Sequence, residues 1–185
     1  MVLELVLVAV VVLLVLILLW AMGTFNRFIV LRNRIDNAFS QIDVQLKRRY
    51  DLIPNLVEIV KGYAKHEKET LTDVIKARGG IMQGTPDERM AANNMLTGAL
   101  GKLMVVMEQY PKLMANENFL KLQEELAGTE NKIAYVRTAY NDSVLELNNA
   151  IMMFPGSVLA GMFGFVQKAF LETPGEQREN VKVKF

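Results

Sequence analysis

The chain contains no cysteine and a single histidine. Without thiols it forms no disulfide, carries no thiol nucleophile and offers no cysteine ligand to zinc or iron. With only His66 to supply imidazole, a Ser-His-Asp triad would hang on that residue, and nothing marks a partner serine. A di-iron bundle needs a Glu-x-x-His pair on each of two helices, whereas Tyr63 stands three residues before His66. An excess of charge of either sign is also missing. Twenty-one Lys and Arg oppose 20 Asp and Glu, which removes the electrostatic case for nucleic acid as a partner. No basic residue precedes Arg27, and Glu4 is the only charged side chain before it.

What occupies that charge-free stretch is an unbroken apolar run from Leu5 to Met22. At about 1.5 Å per helical residue it reaches close to the ~30 Å hydrocarbon thickness of a bilayer, so a transmembrane helix ending at Leu5 and Met22 is expected, with the lipid bilayer as a partner. A cleavable signal would carry a basic leading region, a shorter apolar core and a small-residue cleavage site, and Ala21-Met22-Gly23 is a poor one. Arg27, Arg32 and Arg34 follow the run closely, and basic residues favour the cytoplasmic side. The expectation is a single-pass protein of the cytoplasmic membrane, N-terminus out, with its main domain in the cytoplasm.

Beyond Phe25 the pattern is helical. Ile35, Phe39, Ile42, Leu46, Tyr50, Ile53, Val57 and Val60 recur at three- and four-residue steps, and Leu31, Leu52, Leu56 and Ile59 widen the apolar arc. Pro54 lies inside this pattern, which predicts a kink near Tyr50 rather than a stop. A second helix is expected from about Lys65 to Arg78, closed by Gly79-Gly80. Thr85-Pro86-Asp87-Glu88 has the form of a capping box with proline at the first helical position, opening a third helix that Pro111 ends. Gly98 and Gly101 weaken that helix, and close approach of a neighbour is the expected compensation. Phe119, Leu122, Leu126, Ile133, Val136, Tyr140, Val144, Leu147, Ile151 and Phe154 form the longest seam, closed by Pro155-Gly156. Only Val181 to Phe185 shows the alternation of a strand, so the fold class is all-α, a bundle.

Signatures of chemistry are sparse. Gly79-Gly80 and Gly84 lack the following Gly-Lys-Ser/Thr and the preceding strand of a phosphate loop. Glu124, Glu125 and Glu130 show no spacing specific to glycoside or metal chemistry. No catalytic residue, cofactor or metal ligand is therefore assigned. Arg32, Arg34, Lys47, Arg48 and Arg49 form a candidate interaction surface, although Asp43 and Asp51 stand close enough for ordinary pairing on the helix. The glycine-punctuated apolar stretch Phe154 to Val166 is either a plug over the open end of the bundle or a membrane or partner contact, for which Leu159, Met162, Phe163 and Phe165 are the candidates.

Leu31-Arg32-Asn33-Arg34, Gln41-Ile42-Asp43-Val44-Gln45-Leu46-Lys47-Arg48-Arg49, Asp51-Leu52-Ile53-Pro54-Asn55-Leu56-Val57 and Lys61-Gly62-Tyr63-Ala64 stand in order along the first half of the chain. Tyr110-Pro111, Asn118-Phe119, Leu122-Gln123, Glu130-Asn131-Lys132-Ile133, Ala139-Tyr140-Asn141 and Phe154-Pro155 follow them. In residues and order these motifs resemble the LemA family. The resemblance implies a bacterial protein with a membrane helix followed by a four-helix up-and-down domain, and no established enzymatic activity. The expected layout is an anchor over 1–24, a LemA-like bundle over 25–155 and an apolar, glycine-rich segment and tail over 156–185. The expected function is a non-catalytic scaffold, a homo-oligomeric assembly or a binding module for another membrane-associated protein. The alternative is an enzyme or small-molecule-binding protein that uses a bundle cleft.

Overall fold

The computed structural model describes residues 1–64 and 66–172, and the strand-like alternation at Val181 to Phe185 lies outside them. The element order is α1 (Val2–Tyr63), α2 (Lys68–Gly80), α3 (Pro86–Met107), α4 (Pro111–Met114), α5 (Glu117–Met152) and α6 (Gly156–Phe163), with no strand among the described residues. The all-α expectation is met, and α1 is the one described helix long and apolar enough to cross a membrane. Two short elements depart from the pattern read above. Pro111 begins the one-turn α4 instead of only ending α3, because a first helical position does not need the missing N–H. The apolar stretch after Pro155 forms a helix of its own, α6.

The chain divides into two compact units, Met1–Asn37 with Ala139–Phe170, and Ala38–Thr138 with residues 171 and 172. In the second unit the core gathers Ile53, Leu56 and Val60 from α1, Leu71 and Val74 from α2, Leu96, Leu103 and Met107 from α3, and Phe119 and Leu126 from α5, with Leu113 of α4 beside them. Four longer helical segments thus bury their apolar stripes in common, the outcome their periodicity predicts. In the first unit Phe28, Leu31 and Ile35 of α1 are buried, as are Val144 and Leu147 of α5 and Leu159 and Ala160 of α6.

Glycines shape the α2 and α3 pair, though not where the sequence points. A Cβ added at Gly98 or Gly101 would meet nothing within 4 Å among the described residues, so none of them approaches there. The close approach falls at Gly80, whose added Cβ would lie 2.9 Å from that of Ala92. Gly98 instead lines an open groove of about 490 Å³ with Ala77, Ala92, Met95 and Ala99.

The capping box that opens α3 is complete. The Thr85 backbone N–H donates to Glu88 Oε2 at 2.7 Å, and the Glu88 N–H donates to Thr85 Oγ1 at 3.4 Å. Those bonds from Thr85 hold the Glu88 carboxyl below its usual range. A carboxyl lowered in the folded state contributes stability that is complete above its unfolded pKa and lost as pH falls through the folded one. Glu88→Gln should therefore flatten the acid side of the stability profile, measured by denaturant titration of the detergent-solubilised chain followed by circular dichroism.

Pro54 is accommodated within α1, which continues to Tyr63. Having no N–H, Pro54 leaves the carbonyl of Tyr50 without its donor four residues on. Arg78 of α2 supplies one: its Nε donates to Tyr50 O at 2.9 Å while its guanidinium lies 3.6 Å from the centre of the Tyr50 ring. A charged donor to a carbonyl contributes about 1.5–3 kcal/mol. Arg78→Met should lower stability by that order in the natural chain, and by clearly less in a Pro54→Ala background, where residue 54 can bond Tyr50 itself. A double-mutant cycle in denaturant checks the coupling.

Candidate functional site

The candidate cations separate on folding. Arg32 and Arg34 are exposed in the first unit, and Arg27 and Arg34 both reach Glu146 of α5, at 3.3 and 3.7 Å. In the second unit Lys47 bonds Asp51 at 2.6 Å, one turn along α1, and Arg48 pairs with Glu125 of α5. Such exposed pairs contribute little, about 0–1 kcal/mol, and leave these side chains at the surface. Arg49 is different. Only 3% of it is exposed, so it cannot belong to a surface shared with its neighbours.

Arg49 is the centre of a buried polar cluster. Its Nη1 reaches Asn93 Oδ1 at 2.7 Å and Thr97 Oγ1 at 3.1 Å on α3, and pairs with Glu130 Oε2 on α5. Thr97 Oγ1 also lies 3.2 Å from the same Glu130 oxygen. Burial pulls the Arg49 pKa down, and the charge and hydrogen bond of Glu130 pull it back up. Arg137, one further turn pair along α5, is likewise lowered by burial and raised by Glu130. One carboxylate thus sits in the field of two guanidinium groups. Arg49, Thr97 and Glu130 form a wall of a cleft of about 330 Å³, completed by Leu100, Gly101, Met104, Gln123 and Leu126.

Arg49, expected at the surface, lies inside this cluster, and the sequence carries a signal of it. Arg49 falls between Leu46 and Ile53 in the apolar register of α1, and Asn93 falls between Met90 and Leu96 in that of α3. Glu130 and Arg137 interleave with Leu126, Ile133 and Tyr140 on α5. A polar residue at a stripe position, opposite polar residues on other stripes, is the pattern of a buried network.

The apolar candidates lie in the first unit. Leu159 is buried, whereas Met162 is 72% and Phe163 is 56% exposed. Phe165 is half-buried, its ring centre 5.8 Å from that of Phe25 and 5.0 Å from that of Phe28. Phe163 also meets Phe25, at 4.9 Å. The span ends Leu5 and Met22 are both exposed, 66% and 55%. Among the described residues no group of three or more His, Cys, Asp or Glu could hold a metal ion.

The family model described as the LemA family matches residues 38–185. The chain belongs to the LemA family. It is similar to Magnetosome protein MamQ of Magnetospirillum gryphiswaldense, with 25% identity over 168 residues, covering 76% of this chain and 62% of that protein. Magnetosome protein MamQ 2 of Paramagnetospirillum magneticum is 25% identical over 175 residues, 80% of this chain and 64% of its own. Protein LemA of Metamycoplasma hominis is 25% identical over 161 residues, 86% of this chain and 74% of its own. This LemA-family chain therefore spans less than two thirds of the length of the MamQ relatives. Arg49, Asn93, Thr97, Glu130 and Arg137 all fall within the family match, whereas the apolar run Leu5 to Met22 precedes it.

Removing one member of a buried ion pair costs about 3–5 kcal/mol, because the other charge is left buried. Glu130→Leu should show that loss in denaturant titrations, since Arg49 loses the carboxylate it pairs with and Arg137 loses a nearby negative charge. Arg49→Met should cost less, because Arg137 remains to face Glu130.

Proposed function

We propose that this protein is a non-catalytic, single-pass scaffold of the bacterial cytoplasmic membrane, whose helical unit holds a partner protein or further copies of the chain at the bilayer. The observation that carries this reading is α1 itself. The helix that bears the exposed apolar run Leu5 to Met22 also supplies Ile53, Leu56 and Val60 to a shared core. An anchor and a folding element in one helix suit a part that must be held at a membrane. The cleft beside Arg49 is the natural place to look for a reaction, but its charged groups are engaged with one another. The MamQ relatives are named as magnetosome proteins, and by analogy with them the present chain serves an assembly. The arginines after the span orient the unit toward the cytoplasm in this reading.

Crosslinking of the anchored protein in its native membrane, followed by identification of the linked species, tests the proposal. A consistent partner or a self-linked oligomer is expected; only monomer and background would count against it. Because the chain has no cysteine, Gln83→Cys gives a single labelling site in an exposed turn. Its thiol should react with an impermeant reagent in opened cells and not in intact ones.

A further inference from the structure

We propose that α6 and its flanks form a second membrane-contacting element, embedded among lipid acyl chains beside the span. This rests on the reading of Leu5 to Met22 as a membrane helix. Within the first unit, Pro155, Val158, Leu159 and Met162 face Leu14, Ile17, Leu18, Trp20 and Ala21 across an apolar crevice of about 480 Å³. Leu14 lies about 12 Å along the helix from Met22, so whatever sits beside it lies well inside the hydrocarbon when the run spans a bilayer.

The exposed surface of the element suits that depth. Phe154 is 84% exposed, Val158 56%, Met162 72% and Val166 71%. These join the exposed apolar surface of the span, and a patch of that size needs a covering. The span says what covers it. Acyl chains that surround Leu14 to Ala21 on their other sides also surround the apolar surface that α6 leaves exposed, Val158 and Met162 included. Polar groups begin where α1 would leave the hydrocarbon, with Arg27 and Arg34 at Glu146, and Trp20 has the amphipathic ring favoured near that boundary.

The backbone holds α6 in this position. Gly164, at φ 70°, ends the helix in the left-handed region, and the Phe165 N–H donates to Ala160 O at 3.0 Å. That turn carries Phe165 back onto Phe25 and Phe28. At the other end a Cβ on Gly156 would lie 2.4 Å from the Ala150 carbonyl oxygen, so only glycine permits the close entry into α6. Beyond the turn, the Asn148 side chain bonds both the N–H and the carbonyl of Lys168, each at 2.9 Å.

Single cysteines test the assignment on the full chain, reconstituted in vesicles of equal parts phosphatidylcholine and phosphatidylglycerol. Val158→Cys and Met162→Cys sit on the exposed face of α6, Leu16→Cys reports on the span and Gln83→Cys on a water-exposed turn. Each carries a small environment-sensitive fluorophore and is challenged with nitroxide-labelled acyl chains and with aqueous iodide; circular dichroism checks that helix content is retained. Positions 158 and 162 should lose most of their fluorescence to the nitroxide lipid, as position 16 does, while position 83 responds to iodide. Iodide quenching at 158 and 162, with position 16 still quenched by lipid, overturns the proposal and leaves the span intact. Protection of 158 and 162 from both quenchers means that protein covers the face, which also overturns it. Loss of lipid quenching at position 16 removes the span and the proposal together.

Discussion

A polypeptide in hydrocarbon has no water to satisfy its N–H and carbonyl groups, so an apolar run of this length must bond to itself, and the α-helix is the form in which one segment does so. With Leu5 to Met22 read as a membrane span, that constraint sets α1. Once the bonds from Val2 onward are made, the helix runs on to Tyr63 with one backbone bond missing, and it goes on to place Ile53, Leu56 and Val60 in a core. Pro54 is the one residue in α1 that withholds a donor, and Arg78 of another helix satisfies the orphaned carbonyl. The helix is thus completed by tertiary structure at the point where its own sequence cannot complete it.

Charge inside the second unit follows the opposite logic. Exposed pairs such as Lys47 with Asp51 are screened and exchangeable, but Arg49 has left water and depends on Glu130, Asn93 and Thr97. Three helices contribute to that network, so its hydrogen bonds exist only when α1, α3 and α5 are in register. A network of this kind disfavours slipped packings in which the guanidinium would face apolar side chains. The price in desolvation is visible in the lowered pKa of both Arg49 and Arg137.

The longer helices were legible because each buries one stripe, and a stripe leaves a three- and four-residue period. The start of α3 was legible for a different reason: Thr85 and Glu88 satisfy each other locally, with no help from the rest of the fold. The short elements were not. A four-residue helix such as α4 is shorter than two turns of any period, and the glycines and prolines around α6 resemble a loop. Gly98 and Gly101 misled because a missing side chain permits close approach without requiring it; the approach occurs at Gly80, set by where Ala92 stands. The cations from Lys47 to Arg49 misled because neighbours in a helix point in different directions, about 100° apart, so one of them turned inward.

By itself the sequence determined the helical class, the length and apolarity of the first segment, the absence of thiol chemistry and the family. These are properties of residue types and local spacing, and they hold before any two segments meet. Tertiary structure alone decided which arginine is buried, which carboxylate answers it, what replaces the donor missing at Pro54 and where the apolar stretch after Pro155 lies. Each of those depends on residues far apart in the chain meeting within about 3–4 Å, the range of hydrogen bonds and van der Waals contact, and no local pattern encodes such a meeting.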